Sequence, residues 1–390
     1  MAHLLNSFYA ALLLVFLGSP LCGHAAVRDP RPAQSHHSKQ KLEWIKVSHD
    51  GKGFVRVASG KPFTPWGFNY DRDYKMRLLE EYWNDEWQTI VEDFRKMKNL
   101  GANVVRVHLQ FPKFMDAPDQ PNQAAFKKLE NILSLAEETG VYLDVTGLGG
   151  YRKADVPVWF DALTENERWT AQANFWRHVA KHCRRSPAVF CYNLMNEPVV
   201  PNPKFKDWLV GEFAGFYYVQ AIALDLQGRN RTEVGRQWIS QMTAAIRQHD
   251  KRHLITIGLL PNSADKPSGS GFQPREIVSE VDFISVHYYP RAGELEKDLN
   301  TVKKFSVGKP VVIEEIFPMH CSSKELRTFI ERSRQHVNGW IGFYWGQTPE
   351  DLRNGTTLSD LLTREWLELF QQMQVDSPTQ NSQRYNLNPK

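Results

Sequence analysis

The chain has 390 residues, 42% of them hydrophobic and 24% charged, with 12 Trp and 22 Phe. That balance suits one large globular domain, or at most two, and excludes a disordered chain. The formal charge of +4 is small for this length and no Lys/Arg stripe runs through the sequence, which argues against a nucleic-acid binder.

The first 26 residues read as a secretory signal peptide. Their apolar run from Phe8 to Leu17 is too short to span a bilayer and is followed by a helix breaker and small residues, with cleavage expected near Ala25 or Ala26. The mature protein is then secreted or periplasmic and free of the membrane. Only His3 precedes the run, so the usual charged start is missing and an uncleaved anchor is the alternative reading. Cys22 leaves with the signal, which keeps Cys183, Cys191 and Cys321: at most one disulfide, one free thiol, and no metal-type cysteine spacing. Residues 27–41 are a polar, Pro-containing leader and 375–390 a similar tail, both expected to be flexible. His36 and His37 belong to a solvated leader rather than a metal site.

From Leu42 the sequence alternates apolar and polar residues around Asp50-Gly51 and Ser59-Gly60, which predicts a short hairpin capping one end of the main domain. A strand follows over 63–70 and ends in Asn69 and Tyr70. The run 86–100 places Trp87, Ile90, Val91, Phe94, Met97 and Leu100 on one helical face, with Gly101 as the stop. The unit then recurs. Strands are predicted over 103–109, 141–146, 188–198, 253–258, 281–289, 310–315 and 339–345. Helices are predicted over 123–139, 164–183, 233–249, near Leu295, and over 325–336 and 360–373. Thr164 with Glu167, and Ser322 with Glu325, have capping-box spacing. Continuous apolar strands are buried on both faces, as parallel strands are. An eightfold alternation over 42–374 fits an α/β fold, a (β/α)8 TIM barrel with a short N-terminal β-hairpin cap. An open doubly wound sheet is the alternative, but no Gly-rich phosphate turn follows the first strand.

Two of these strands, AVFCYNLMNEP (188–198) and PVVIEEIF (310–317), end abruptly in carboxylate. In a barrel all strand C-termini share one face, so Glu197 and Glu315 would look into one cleft. Two carboxyl groups about 5 Å apart can divide the cleavage of a glycosidic bond, one attacking the anomeric carbon and one protonating the leaving oxygen. Glu314 competes with Glu315, because adjacent strand residues point to opposite faces and only one can meet the sugar.

With Arg106 in NVVRVHL, Asn196-Glu197-Pro198, His287-Tyr288-Tyr289, the acid in VVIEE and Trp345 following in order, the chain resembles the clan A retaining glycoside hydrolases. Within them it is most similar to family 5, the cellulase and mannanase group, over about 63–370. The resemblance implies that Glu197 is the acid/base and Glu315 the nucleophile of a double displacement on a β-mannan or β-glucan type polysaccharide or oligosaccharide, without cofactor or metal. It implies substrate-binding roles for Asn69, Arg106, His108, Asn196, His287, Tyr289 and Trp345. Arg106 and Tyr289 would keep the nucleophile ionised, Asn196 would meet the sugar 2-hydroxyl, and Trp345 would stack on a pyranose. Glu197 would be kept protonated by its charged neighbour and an apolar surround. The chain departs from the family pattern in its paired glutamates and in Ile316-Phe317-Pro318 after them. A binding-only barrel and a transglycosylase with the same residues are the competing readings, and a monomer is expected. The long segment 199–231, with Trp208, Phe213, Phe216, Tyr217 and Tyr218, offers either sugar platforms or packing and would decide whether one end of the groove is blocked. Asn230 and Asn354 open glycosylation sequons.

Overall fold

The computed structural model describes residues 41–343 and 345–374. The signal segment, the leader with His36 and His37, and the tail from 375 lie outside the described residues.

Val- and Ile-rich runs form one parallel sheet with strands β1 (Trp66–Tyr70), β2 (Val104–Gln110), β3 (Tyr142–Gly149), β4 (Val189–Asn193), β5 (Leu254–Thr256), β6 (Gly258–Leu259), β7 (Ile284–His287), β8 (Val311–Ile316) and β9 (Gly339–Gly342). Their order is β5-β4-β3-β2-β1-β9-β8-β7-β6. β5 and β6 are two pieces of one extended run interrupted at Ile257, the first pairing with β4 and the second with β7. The two ends of the sheet thus meet along one run of chain and nearly close the ring, so the expected eight-stranded barrel is present with its fifth position split.

Helices α1 (Trp87–Asn99), α2 (Gln123–Thr139), α3 (Glu165–Cys183), α4 (Arg231–Arg247), α5 (Pro274–Ile277), α6 (Leu295–Lys303), α7 (Ser323–Ser333) and α8 (Leu358–Gln372) surround the barrel. The predicted capping boxes are formed at Thr164 and Ser322, and α2 ends at Gly140 with φ +72°, a left-handed cap that glycine adopts without strain. α5 is a single turn, too short for periodicity to mark. None of the described helices is long and apolar enough to cross a membrane. Cys183, Cys191 and Cys321 are all free thiols. The side chain of Asn230, one of the sequon asparagines, caps α4 by accepting from the Glu233 amide.

The predicted hairpin is a three-stranded antiparallel sheet, Ile45–Val47, Phe54–Arg56 and Pro62–Phe63. Its Ile45, Phe54 and Phe63 pack on Val104, Tyr142, Phe190, Leu254, Phe283, Val312 and Ile341. These lie at the N-terminal ends of the strands, so the hairpin plugs the mouth opposite the carboxylates. At the other mouth, the 199–231 segment is ordered rather than looped. Pro198–Val199, Leu209–Phe213 and Phe216–Ala221 form a small sheet, and its tip, Ala214 (φ 49°) and Gly215 (φ 81°), has the two positive φ angles of a tight hairpin turn.

Candidate active site

β2 carries Arg106 into the barrel interior, where the guanidinium is fully buried and organises the site. Its Nη1 donates to Glu315 Oε1 at 3.0 Å and to Asn69 Oδ1 at 2.8 Å, its Nη2 to Asn196 Oδ1 at 2.9 Å, and its Nε to Thr146 Oγ1 at 2.9 Å. Burial works against the Arg106 charge, but Glu314, Asp144 and Glu315 together outweigh it and hold the proton more tightly than usual. Tyr289 donates to the second oxygen of Glu315 at 2.7 Å. Glu315 therefore has a cation on one carboxylate oxygen and a hydroxyl on the other.

Glu197 sits opposite. Chain register alone does not bring it there: β4 ends at Asn193, and Glu197 adopts φ 42° directly before Pro198. A left-handed conformation at a non-glycine residue costs about 1–3 kcal/mol and recurs at functional positions. A following proline favours extended backbone, so this site is doubly uncommon. His287, at the end of β7, joins the two acids. Its Nδ1 is 2.9 Å from Glu197 Oε1 and 3.4 Å from Glu315 Oε1, and one oxygen of each glutamate lies within 4.8 Å of the other. Burial, aided by Arg106, outweighs the pull of Glu315 and drops the His287 pKa to about 3. The ring is neutral at ordinary pH and offers one N–H to the acids.

Three residues expected to touch substrate lie beneath the cleft instead. Asn69 has all its bonding capacity committed: Oδ1 accepts from Arg106 and His108, and Nδ2 donates to the Glu314 and Gly342 carbonyls. Arg106 is likewise enclosed by its partners. His108 shares a hydrogen bond of 2.6 Å with the Tyr151 hydroxyl and is kept neutral by burial and by Arg106. These are positioning groups, because side chains bonded to their neighbours and only 0–2% exposed have nothing to offer a sugar. Trp345 is a further correction. Its indole is 1% exposed and packs on Phe68 with ring centroids 5.6 Å apart, so it presents no open face for stacking. Phe343, half-buried and edge-on to Tyr289 at 6.2 Å, is the aromatic beside the carboxylates. Asn196 commits one amide hydrogen to the Tyr218 carbonyl at 3.1 Å.

Glu314 is fully buried while Glu315 is 6% exposed. Simple alternation does not send them to opposite faces, since β8 is irregular: His287 pairs with Glu315 on one side, and the register with β9 shifts between Ile313 and Ile316. Both carboxyls reach Arg106, at 3.0 and 4.0 Å, at different depths. Glu314 accepts from Asn193 Nδ2 at 2.7 Å. Burial and the Asp144 charge push its pKa well up, and burial raises Asp144 too. Asp144 Oδ2 and Glu314 Oε1 have no other donor, as expected for two carboxyl groups sharing one proton. This lower layer was not anticipated, although an aspartate in the middle of the apolar run VYLDVT signals it.

Among the described residues, two groups of ligand-type side chains are close enough to hold an ion, Asp144 with Cys191 and Glu314, and Glu197 with His287 and Glu315. The Arg106 cation within 4.0 Å of Asp144, Glu314 and Glu315 opposes a metal at either, and burial keeps the Cys191 thiol protonated.

The family model described as cellulase (glycosyl hydrolase family 5) matches residues 58–348. The chain is 24% identical over 260 residues to mannan endo-1,4-beta-mannosidase A of Aspergillus aculeatus, an alignment spanning 58% of this chain and 62% of that relative. Among solved structures, the exo-beta-1,4-mannosidase of Opitutaceae bacterium strain TAV5 superposes with a TM-score of 0.64 at 18% identity, over 87% of this chain and 63% of that one. The endo-1,4-beta-mannanase of Rhizomucor miehei superposes with a TM-score of 0.54 at 17% identity, over 84% and 99%. At such identities these two structures speak for the fold.

Proposed function

We propose that this chain, which belongs to glycosyl hydrolase family 5, is a retaining glycosidase acting on β-mannosidic bonds, with Glu315 as nucleophile and Glu197 as acid/base. The observation that carries the reading is the separation of the two carboxyl groups: oxygens within 4.8 Å of each other leave no room for a water between a general-base carboxylate and the sugar, which an inverting enzyme requires, and match the closer spacing of retaining enzymes. In the first step a Glu315 oxygen bonds to the anomeric carbon, the C1–O bond breaks, and the Glu197 proton goes to the leaving oxygen. In the second, Glu197 takes a proton from water, the hydroxide adds to C1, and the ester to Glu315 breaks. Arg106 and Tyr289 are placed to receive the carboxylate charge as it returns, and neutral His287 keeps both acids aligned without adding a cation. Mannose as the glycone is supported by the mannan-hydrolase relatives named above; glucan and xylan remain the controls. Export through the 1–26 segment, where the apolar run Phe8–Leu17 supports it, and action as a monomer on soluble saccharide complete the reading.

The experiment is proton NMR of the first-formed product from an aryl β-mannoside, together with azide rescue of Glu197→Ala. A first product of β configuration and a β-mannosyl azide are expected. An α product, or no rescue on any activated substrate, would overturn the assignment.

A further inference from the structure

We propose that the enzyme removes single sugars from the non-reducing end of its substrate, because the cleft is walled off one sugar away from the scissile bond on that side. The inference rests on the glycosidase reading above and names the part of the chain that the site accepts.

The direction follows from Glu197. Glu197 follows β4 and its carboxyl meets His287 at the end of β7, so the oxygen it protonates, and the leaving group attached to it, lie towards the strands between β4 and β7. The sugar whose anomeric carbon meets Glu315 lies to the other side, above Asn69 and Arg106 on β1 and β2.

That side is closed by three segments that meet over the strand ends. Leu78 after β1, Tyr151 after β3, and Phe213, Phe216 and Tyr218 from the inserted sheet form one buried apolar cluster. Arg152 ties the first two segments together by donating to the Met76 carbonyl at 2.9 Å, and its guanidinium lies 5.0 Å over the Phe216 ring. The Tyr217 amide donates to the Tyr151 carbonyl at 2.8 Å.

The inner face of the wall is Arg72, only 1% exposed and paired with Asp71 at 2.7 Å. Its guanidinium donates to the Tyr218 hydroxyl at 2.8 Å and lies 5.2 Å over the Phe343 ring. Phe343 abuts Tyr289, which holds the nucleophile, and the Tyr218 carbonyl holds Asn196. The wall therefore reaches Glu315 through Phe343 and Tyr289 at one end and Asn196 through Tyr218 at the other. A buried ion pair braced by aromatic rings is not a flap that swings aside for a passing polymer. A chain continuing beyond the sugar that meets Glu315 runs into this wall. An internal bond of a polymer is excluded, and the reaction releases one monosaccharide as water adds its hydroxyl to C1 and its proton to the shortened chain.

The test uses mannopentaose whose reducing end has been converted to the alditol, followed by mass spectrometry of early products, with viscosity of linear mannan read in parallel. Free mannose and an alditol series shortened by one residue at a time are expected, with viscosity nearly constant as reducing ends accumulate. Mannobiose or mannotriose from the non-reducing half as first products, or a viscosity fall that outruns reducing-end release, would overturn the inference while leaving the glycosidase reading intact. Failure on aryl β-mannosides, β-glucosides and β-xylosides alike would instead sink that reading. Phe343→Ala, which removes the ring bracing Arg72, should raise the proportion of internal cleavage at least tenfold; an unchanged product ratio in the folded variant would show that the wall does not set the end-point.

Discussion

At the N-terminal mouth the barrel strands begin in Val104, Tyr142, Phe190, Leu254, Phe283 and Val312, and the hairpin sheet covers them with Ile45, Phe54 and Phe63. At the C-terminal mouth the same strands carry Asn69, Arg106, Asp144, Asn193, His287 and Glu314, buried just as deeply but polar. The first layer gains roughly 1.5–3 kcal/mol for each large apolar side chain removed from water. The second must offset the desolvation of several charges with hydrogen bonds and a shared proton, and it also holds Glu197 in a costly backbone conformation. One mouth supplies stability and the other spends part of it on geometry, so substitutions at the two ends should separate stability from turnover.

The largest expected effect is at the polar mouth. Glu315→Gln should lower kcat by about 10⁴-fold or more, equivalent to about 5.5 kcal/mol of transition-state stabilisation, while circular dichroism and the thermal midpoint stay near wild type. Reducing-end assays beside Glu314→Gln check it: a dead Glu314→Gln with a working Glu315→Gln would exchange the two roles. Phe54→Ala is the counterpart at the apolar mouth. Phe54 packs edge-on to Phe190 and Phe283 at 5.2 Å each, and its loss should cost about 3–5 kcal/mol in urea unfolding with kcat/KM unchanged wherever the variant is folded. A matching fall in kcat/KM would mean that the plug reaches the site.

The two mouths were not equally legible in the sequence. The apolar ends and the eightfold repeat follow from runs such as NVVRVHL and PVVIEE, whose period and length leave few alternatives, and the carboxylates at 197 and 315 stand out because each ends such a run. Depth is what the sequence withheld. Asn69 lies next to the end of β1 as expected, but Arg106 and His108 lie within β2, and a strand's pleat says which face a residue takes and not whether another side chain covers it. Trp345 was misjudged for the same reason: an aromatic just past a strand can stack outwards or fold back, and here Phe68 draws it into the core. The irregular register of β8, which lets both glutamates reach Arg106, has no local sequence signal. The wall over β1 to β4 depends on contacts between segments some 70 residues apart, such as Arg152 with Met76 at 2.9 Å, which single-chain periodicity does not encode.

Trp345→Phe sharpens the distinction between core and cleft. As a core residue it should cost about 1–2 kcal/mol of stability and leave KM for oligosaccharides within twofold in initial-rate measurements. A tenfold rise in KM at unchanged stability would return Trp345 to the sugar.

The smallest effect tests the shared proton. Glu314 has its pKa raised by burial and by Asp144, so the folded state binds this proton more tightly than the unfolded chain, where the value is near 4.5. Its contribution to stability is therefore complete below pH 4.5 and is lost as pH rises towards the folded value, with a slope of at most about 1.4 kcal/mol per pH unit. His287 acts in the opposite sense: with a folded pKa of about 3, its contribution is complete above about 6.5 and is lost as the medium is acidified. Glu314→Gln keeps an acceptor for Asn193 and gives Asp144 Oδ2 a permanent N–H donor, removing only the first of these titrations. The variant should retain most of the wild-type kcat, and its stability should gain on wild type as the pH rises above about 5, read as the difference between urea midpoints across the series. Parallel curves would mean that Glu314 holds no proton there, and the singly charged pair beneath Arg106 would then have to be replaced by two full charges facing one guanidinium.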